Sequence, residues 1–370
     1  MTALRNLGVG VAIAVMAADG ARAQAAADDG HGVAVGGQWR EYRLGSGADA
    51  SRIRQWVVPV GATFETGRLT FDLGTSYAAS SFGRAGTAGR EVKGVTDTQV
   101  RASYVLGRDL LVASVVVNLP TGKSKAPAVD FPVLGAISSA FLPFPVGAYG
   151  SGFSATSGLA VAVPAGLWSL GLAGSLRWTG EFTPYVDANG PFTYQPGIEG
   201  RIRAGVDRIV GRSRVTAGLT YSTFGTDQFS SGTTSTGLYR PGNRWIAEVT
   251  GVVPVGRSAT LSVFGWHYLR VNGDSSRVAV INRERISSIG TRLAVPLGSG
   301  LDLDLALDGR TARMGAAPAR AVGAEAGFGV SLGRRASLLP SVRYDLGTID
   351  GGSSQRDFRG FSFAVFLRSR

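Results

Sequence analysis

The stretch Leu301-Asp302-Leu303-Asp304-Leu305-Ala306-Leu307-Asp308 decides the fold. Successive side chains of a strand point to opposite faces. Extended backbone therefore puts Leu301, Leu303, Leu305 and Leu307 on one side and Asp302, Asp304 and Asp308 on the other. Wound as a helix, the same residues would spread leucine and aspartate around the whole circumference. The two-residue period recurs from about residue 33 onward. Trp168, Leu170, Leu172, Leu176 and Trp178 oppose Ser169, Gly171, Ala173, Ser175 and Arg177. Leu69, Phe71, Leu73 and Tyr77 oppose Thr70, Asp72, Gly74 and Ser76; Val215, Ala217, Leu219 and Tyr221 oppose Thr216, Gly218, Thr220 and Ser222. Leu338, Val342, Tyr344 and Leu346 oppose Ser341, Arg343 and Asp345. The polar faces are small and hydrophilic, which suits a wet lumen better than a sandwich core.

These segments run to roughly ten to thirteen residues, longer than the five or six usual in soluble sheets and right for a tilted membrane strand. Tight turns are expected near 66–68, 107–109, 165–166, 211–213, 256–258, 298–300 and 333–335, most of them at glycines. Longer polar loops are expected near 45–51, 82–95, 122–151, 180–193, 225–242, 272–281, 313–321 and 348–356. Short turns on one side and long loops on the other mark an outer-membrane barrel, turns periplasmic and loops extracellular. The reading is an all-β, transmembrane antiparallel β-barrel of about sixteen strands with both termini in the periplasm. Trp39-Arg40-Glu41-Tyr42-Arg43 alternates poorly, so fourteen strands is the alternative. Trp56, Trp168, Trp178, Trp245 and Trp266 are candidates for the interfacial aromatic girdles. The last strand, near Phe358 to Leu367, puts Phe361, Phe363, Val365 and Leu367 on one face, and the chain then runs on through Arg368-Ser369-Arg370.

Composition narrows the function. The 370 residues include 54 glycines and no cysteine, with 44% hydrophobic and only 17% charged. Lack of cysteine excludes a disulfide scaffold, a thiolate metal site and a cysteine nucleophile. The net charge of +12 is almost all arginine, since lysine occurs only at Lys93, Lys123 and Lys125. The arginines are scattered, with neither the basic patch nor the module that nucleic-acid binding needs. At the N-terminus, Arg5, the apolar run Leu7 to Ala18 and Ala21-Arg22-Ala23 read as a cleavable signal peptide, residues 1–23, followed by one barrel domain over 24–370. The apolar run is too short to span a bilayer as a helix.

Val115-Val116-Val117-Asn118-Leu119-Pro120-Thr121-Gly122-Lys123 ends a strand with a Leu-Pro-Thr-Gly step. Gly150-Ser151-Gly152-Phe153, the strand Gly158 to Ala162, the segment Trp168 to Glu181 and Tyr194-Gln195-Pro196-Gly197 follow in order. Over about residues 95–210 this order resembles the outer-membrane transporters associated with the meta-pathway of phenol degradation. The resemblance implies passage of small, often aromatic, compounds and brings no defined ligand residues.

Alternation assigns Arg101, Arg177, Arg201, Arg203, Asp207, Arg244, Glu248, Arg292, Asp302, Asp304, Arg310 and Arg343 to the lumen, with Asp72, Glu199, Asp308, Glu325 and Asp345. Unpaired buried charge is costly, so a salt-bridged interior is one reading. The other is that Arg177, Arg201, Arg203, Arg244 and Arg292 line a pore and bias it toward anions. Asp302, Asp304 and Asp308 do not read as a calcium site, because alternate residues of a strand stand about 6.6–6.8 Å apart. No catalytic residue is assigned. The two histidines, His31 and His267, lack a nucleophile elbow or metal-ligand spacing, and His267 reads as a wall residue. No cofactor or metal is expected.

The loop from Lys123 to Gly152 is markedly apolar, with Phe131-Pro132-Val133-Leu134 and Ala140-Phe141-Leu142-Pro143-Phe144-Pro145-Val146. A freely exposed loop should not carry so many apolar side chains. It is expected to fold into the barrel mouth as a constriction through Phe131, Phe141, Leu142 and Phe144, with a short helix within Val133 to Leu142, or else to pack on other loops or a neighbouring subunit. The expected partners are membrane lipid, lipopolysaccharide and a small hydrophobic or aromatic cargo. The alternative is a lumen-plugged structural or adhesion barrel that acts through its loops.

Overall fold

A computed structural model describes residues 31–107, 110–187, 190–231, 235–275, 283–315, 317–333, 335–350 and 355–369. The expected leader lies outside the described residues, as do Arg108, Asp109 and Arg334 of two expected turns and parts of the loops near 272–281 and 348–356. In chain order the strands are β1 (His31–Leu44), β2 (Ser51–Thr66), β3 (Leu69–Arg84), β4 (Arg90–Val95), β5 (Thr98–Leu106), β6 (Leu111–Leu119), β7 (Ala126–Pro127) and β8 (Ser154–Ala165). There follow β9 (Trp168–Thr179), β10 (Phe182–Asp187), β11 (Gly190–Gln195), β12 (Glu199–Val210), β13 (Ser213–Phe224), β14 (Asp227–Ser231), β15 (Ser235–Arg240) and β16 (Arg244–Val255). The last are β17 (Ala259–Arg270), β18 (Asp274–Ser275), β19 (Glu284–Gly298), β20 (Leu301–Met314), β21 (Ala317–Ser331), β22 (Ala336–Asp350) and β23 (Gln355–Ser369). A short helix, α1, spans Phe131–Ile137.

Two sheets form. Six strands, in the order β18-β15-β14-β11-β10-β7, make a small sheet from the loops. The others make the wall, each antiparallel to its neighbour, with β23 closing onto β1 through Trp39↔Phe363 and Arg43↔Arg359. β4 and β5 share one wall position against β3, so the barrel has sixteen strands. Closure leaves no edge, which a sheet in hydrocarbon requires because lipid cannot satisfy a free N–H or C=O. This is an outer-membrane β-barrel, placed in the outer membrane by its fold.

The two-residue period sorts the wall as expected. On β9, Trp168, Leu170, Leu172, Leu176 and Trp178 are exposed on the outside, and the intervening residues face inward. Trp56, Trp168, Trp178 and Trp245 are exposed on the outer wall. Trp266 is a correction: it stands opposite Glu248, faces the lumen, and packs against the interior core. Its neighbours Gly265 and His267 take the outer positions instead. The apolar Trp266 inside marks where lumen contents replace water.

Two expected long loops are short. Met314 pairs with Ala317, so the segment near 313–321 is nearly all strand. Asp350 pairs with Gln355, which leaves four residues between β22 and β23. Alanine, glycine and proline give little polarity contrast there, and the period is invisible without it. β1 is a full strand of 14 residues despite its weak alternation. Both of its faces are polar near the extracellular end, for separate reasons given below.

Candidate functional site: the lumen and its inserted loop

The segment between β6 and β8 turns into the barrel. Val133, Ile137, Phe141, Leu142, Phe144, Val146 and Tyr149 are buried in one cluster with inward side chains of the wall, among them Tyr42, Ile53, Val57, Ala78, Ile286 and Phe358. Phe141 is 1% exposed and meets the Phe358 ring edge-on at 6.0 Å, and Phe144 meets Tyr42 at 5.3 Å. Burial of a Leu or Phe side chain is worth roughly 1.5–3 kcal/mol, so this apolar run is stable inside and would be poorly placed in water. Small residues make the room: inward positions of β21 are Ala319, Ala321 and Gly323, and Gly360 accommodates the ring of Tyr42, which a Cβ would meet at 2.3 Å. α1 covers Phe131–Ile137, starting two residues before the expected Val133 because Pro132 fits the first helical turn.

Phe131 departs from the expected constriction. It is 40% exposed, outside the lumen, with its ring 5.0 Å from Tyr185 of the loop sheet. The other three residues, Phe141, Leu142 and Phe144, lie in the interior cluster.

Polar side chains of the wall hold the loop by its backbone. Arg310 donates to the Phe141 carbonyl at 2.6 Å, and Arg40 donates to the Pro143 carbonyl. Gln55 bonds Val146 in both directions, donating from Nε2 to its carbonyl (2.7 Å) and accepting its N–H on Oε1 (2.9 Å). The Tyr149 hydroxyl donates to the Val92 carbonyl at 2.7 Å and lies 2.8 Å from Ser80 Oγ. Asp97, between β4 and β5, ties the loop's two feet: its carboxylate accepts from Gly122 N–H (3.0 Å) and from Ser151 N–H (2.7 Å). The feet cross so closely that a Cβ on Gly122 would stand 2.1 Å from the Tyr149 carbonyl oxygen. None of Arg40, Gln55, Ser80 or Asp97 was singled out in the sequence.

The lumen assignments fall on inner positions of the wall. Arg101 stands opposite Asp72 and bonds Ser103 at 3.1 Å; Arg177 stands opposite Glu199 and reaches Ser154 at 3.4 Å. Arg201 pairs with Glu199 at 2.7 Å, Arg203 pairs with Glu248, and Asp207 accepts Arg214 at 2.6 Å. Arg292 donates to Asp304 at 2.7 and 2.8 Å. Arg343 pairs with Asp308 at 2.6 Å and with Asp345 at 2.7 Å, and Arg310 lies 3.6 Å from Asp308. Arg244 covers the Phe224 ring at 4.5 Å, and Asp302 is exposed near the periplasmic end. Asp304 and Asp308 thus each carry arginines. The pairs differ in exposure: Arg310 and Arg343, beside the inserted loop, are 11% exposed, whereas Arg201, Arg214 and Arg292 are 48%, 42% and 40%.

Above the lumen, the loop sheet carries a run of rings. Phe131 meets Tyr185 edge-on, Tyr185 stacks on Phe192 at 4.5 Å, and Phe192 stacks on Phe229 at 5.7 Å. Next to this run is an open cavity of about 360 Å³, lined by Ala126, Phe131, Leu134, Tyr149, Phe182 and Pro184 among others. Burial pushes the Tyr149 phenol up to about 12. Burial also raises Tyr194, with its bond to Asp227 adding to the effect. Both histidines lie on the outer wall: His31 stands opposite Phe64, and His267 is 2.8 Å from Ser287. The lumen therefore holds no imidazole.

No protein-family model matches the chain, and no curated protein is similar to it by sequence. The resemblance to the phenol meta-pathway transporters rests on its short motifs alone. Among solved structures the chain is similar to OmpT, an outer-membrane protein of Vibrio cholerae, at 15% identity over 93% of this chain and 98% of that one, TM-score 0.42. It is also similar to a Pseudomonas aeruginosa FadL homologue, at 6% identity over 92% and 90%, TM-score 0.47. The Pseudomonas putida toluene transporter TodX is a third, at 10% identity over 92% and 90%, TM-score 0.42.

Proposed function

We propose that this barrel passes small hydrophobic or aromatic molecules across the outer membrane by passive diffusion. The observation that carries the reading is the aromatic run Phe131-Tyr185-Phe192-Phe229 beside an apolar cavity at the extracellular mouth, next to the loop that enters the lumen. Flat apolar molecules stack on such rings, each good contact being worth about 0.5–1.5 kcal/mol beyond area burial. The cavity would collect cargo, and the inserted loop, with Phe141, Leu142 and Phe144, would set the width of the passage. Arg177, Arg201, Arg203, Arg244 and Arg292 would line the polar side of that passage. The role matches the cargo implied by the family resemblance.

A second reading keeps a specific support. The six-stranded loop sheet is a built extracellular surface, and a barrel plugged by its own loop could act through that surface as an adhesion or structural protein.

Vesicles with a lipopolysaccharide outer leaflet separate the two. With the barrel inserted they should take up naphthalene faster than barrel-free vesicles. Tyr185→Ala/Phe192→Ala should bind naphthalene about three- to tenfold more weakly, from the loss of ring contacts. Uptake equal to that of barrel-free vesicles, with no binding to the intact protein, would sink the passage reading and leave the adhesion one.

A further inference from the structure

The outer wall is uneven. Among the described residues of the wall strands from β5 round to β17, the only arginine or carboxylate side chain on an outer position is Arg208, near the periplasmic turn, its guanidinium 4.7 Å over the Trp168 ring. The arc from β19 through β23 to β2 is different at its extracellular end. Arg285 and Arg313 stand directly opposite one another across β19 and β20. Arg43 stands opposite Arg52 on one side and Arg359 on the other. Like charges directly opposite in a sheet repel, and here three such pairs share one end of one arc. Arg320 adds an exposed cation on β21.

Nearby acid offsets this only in part. Glu41 serves Arg43 (2.6 Å), Arg52 (2.5 Å) and Arg54 (2.8 Å) together, and it is 5% exposed while the arginines are 66%, 42% and 43% exposed. Glu41 is buried beneath the guanidinium groups. Asp357, exposed two residues from Arg359, and Asp350 are the other carboxylates on outer positions at this end, against the seven arginines Arg43, Arg52, Arg54, Arg285, Arg313, Arg320 and Arg359. Directly below is a girdle of rings: Trp39 lies 5.8 Å from Phe361 and Trp56 lies 6.3 Å from Tyr77. Arg54 is two residues beyond Trp56, about 7 Å along the strand.

Strand length supplies a second, independent sign. The strands β19 to β23 and β1 to β3 have 14–16 residues, whereas β8, β9, β12, β13, β16 and β17 have 12 each. Three extra residues lengthen a strand by about 10 Å, or about 7–8 Å along the axis of a barrel whose strands tilt by about 35–45°. The arginines lie at the extracellular ends of these longer strands.

We propose that this long-stranded arc is a binding site for the phosphorylated glucosamine head of lipid A, the glycolipid of the outer leaflet. Facing arginines repel when empty and become a clamp when an anion sits between them, because guanidinium forks bind phosphate oxygens in pairs. The Arg43–Arg52–Arg359 group and the Arg285–Arg313 pair are two clusters on one arc, and lipid A carries two phosphates. The girdle below receives the acyl chains. The rest of the circumference would take lipid without this preference, so the bound glycolipid would decorate one side of the barrel.

The test is native mass spectrometry of the refolded barrel in detergent with three probes: bisphosphorylated lipid A, its dephosphorylated form and phosphatidylglycerol. Lipid A should be retained at least about tenfold better than either other lipid. Arg43→Gln/Arg52→Gln/Arg359→Gln should lower that retention about tenfold, and Arg208→Gln, on the other arc, should leave it unchanged. Equal retention of the dephosphorylated lipid would mean that acyl chains alone drive binding and would overturn the proposal. Equal retention of phosphatidylglycerol would reduce the arc to a general anionic surface and would overturn it too. If the triple variant does not fold, the three-lipid comparison on the intact protein still decides.

Discussion

Gln55 shows how much a single side chain can fix. Its amide makes two bonds to the backbone of Val146 in a buried position. Gln55→Leu would strand that N–H and C=O without water, at about 1–3 kcal/mol for each unsatisfied group. The expected result is a loop that leaves the lumen part of the time, seen as larger or flickering single-channel conductance and as new protease cleavage within 131–149. Gly122 acts through space rather than bonds. Gly122→Ala would push a methyl onto the Tyr149 carbonyl, 2.1 Å away, and should release the same loop from its feet. Tyr149 adds a dependence on pH. Its phenol is raised from 10.0 to about 12, chiefly by burial, so the docked loop favours the protonated ring. The stabilisation is complete below pH 10 and is lost as pH rises from 10 toward 12. Protease sensitivity of the loop should therefore rise over that window in the wild-type barrel, and the rise should be smaller in Tyr149→Phe.

At the scale of the element, the inserted loop is the gate that the passage reading requires. Deletion of 126–147 removes Phe141, Leu142, Phe144 and the partners of Arg310 and Arg40. Conductance should rise and heat-modifiable mobility should persist, because the wall keeps all of its strands. Unchanged conductance would mean that the loop fills space that ions do not use. The loop's need for cover was legible from composition, since no water-exposed segment keeps Phe141-Leu142-Pro143-Phe144 bare, but composition left open whether the lumen, other loops or a neighbouring subunit supplies it. Its anchors were not legible. Arg40, Gln55 and Asp97 become partners of the loop only once strands far apart in sequence close into a barrel. The wall itself was legible wherever large apolar residues alternate with polar ones, as on β9. It faded where alanine fills one face and no large apolar residue marks the other, as at Ala317–Ala321, and where both faces are polar. β1 is the last kind: Arg40 and Tyr42 face the loop while Glu41 and Arg43 face the outer arginine arc, so its residues alternate in role but not in polarity.

The whole barrel is divided by charge and by packing along the same line. On the side of β20 to β23 and β1 to β3, the loop fills the interior and Arg343 and Arg310 are nearly buried among carboxylates. On the side of β12, β13 and β19, ion pairs remain, and three of them are oriented, whereas Arg203 and Glu248 are evenly covered at 16% and 18%. Arg201, Arg214 and Arg292 are 48%, 42% and 40% exposed, and their partners Glu199, Asp207 and Asp304 are 11%, 8% and 21%. The acids lie against the wall and the guanidinium ends project into the lumen. An ion moving along this side meets positive charge first, with the negative charge screened behind it. Lumen side chains of one sign set pore selectivity, so a conducting barrel should prefer anions. Reversal potentials across a salt gradient should show that preference, and Arg201→Gln/Arg292→Gln should bring it toward zero without loss of folding, since exposed ion pairs are worth only about 0–1 kcal/mol each. The preference should also weaken as ionic strength rises, because charges open to water are screened over about 10 Å at 0.1 M salt. A cation-selective pore, or one whose selectivity ignores both arginines, would mean that ions take a path other than the β12–β19 side.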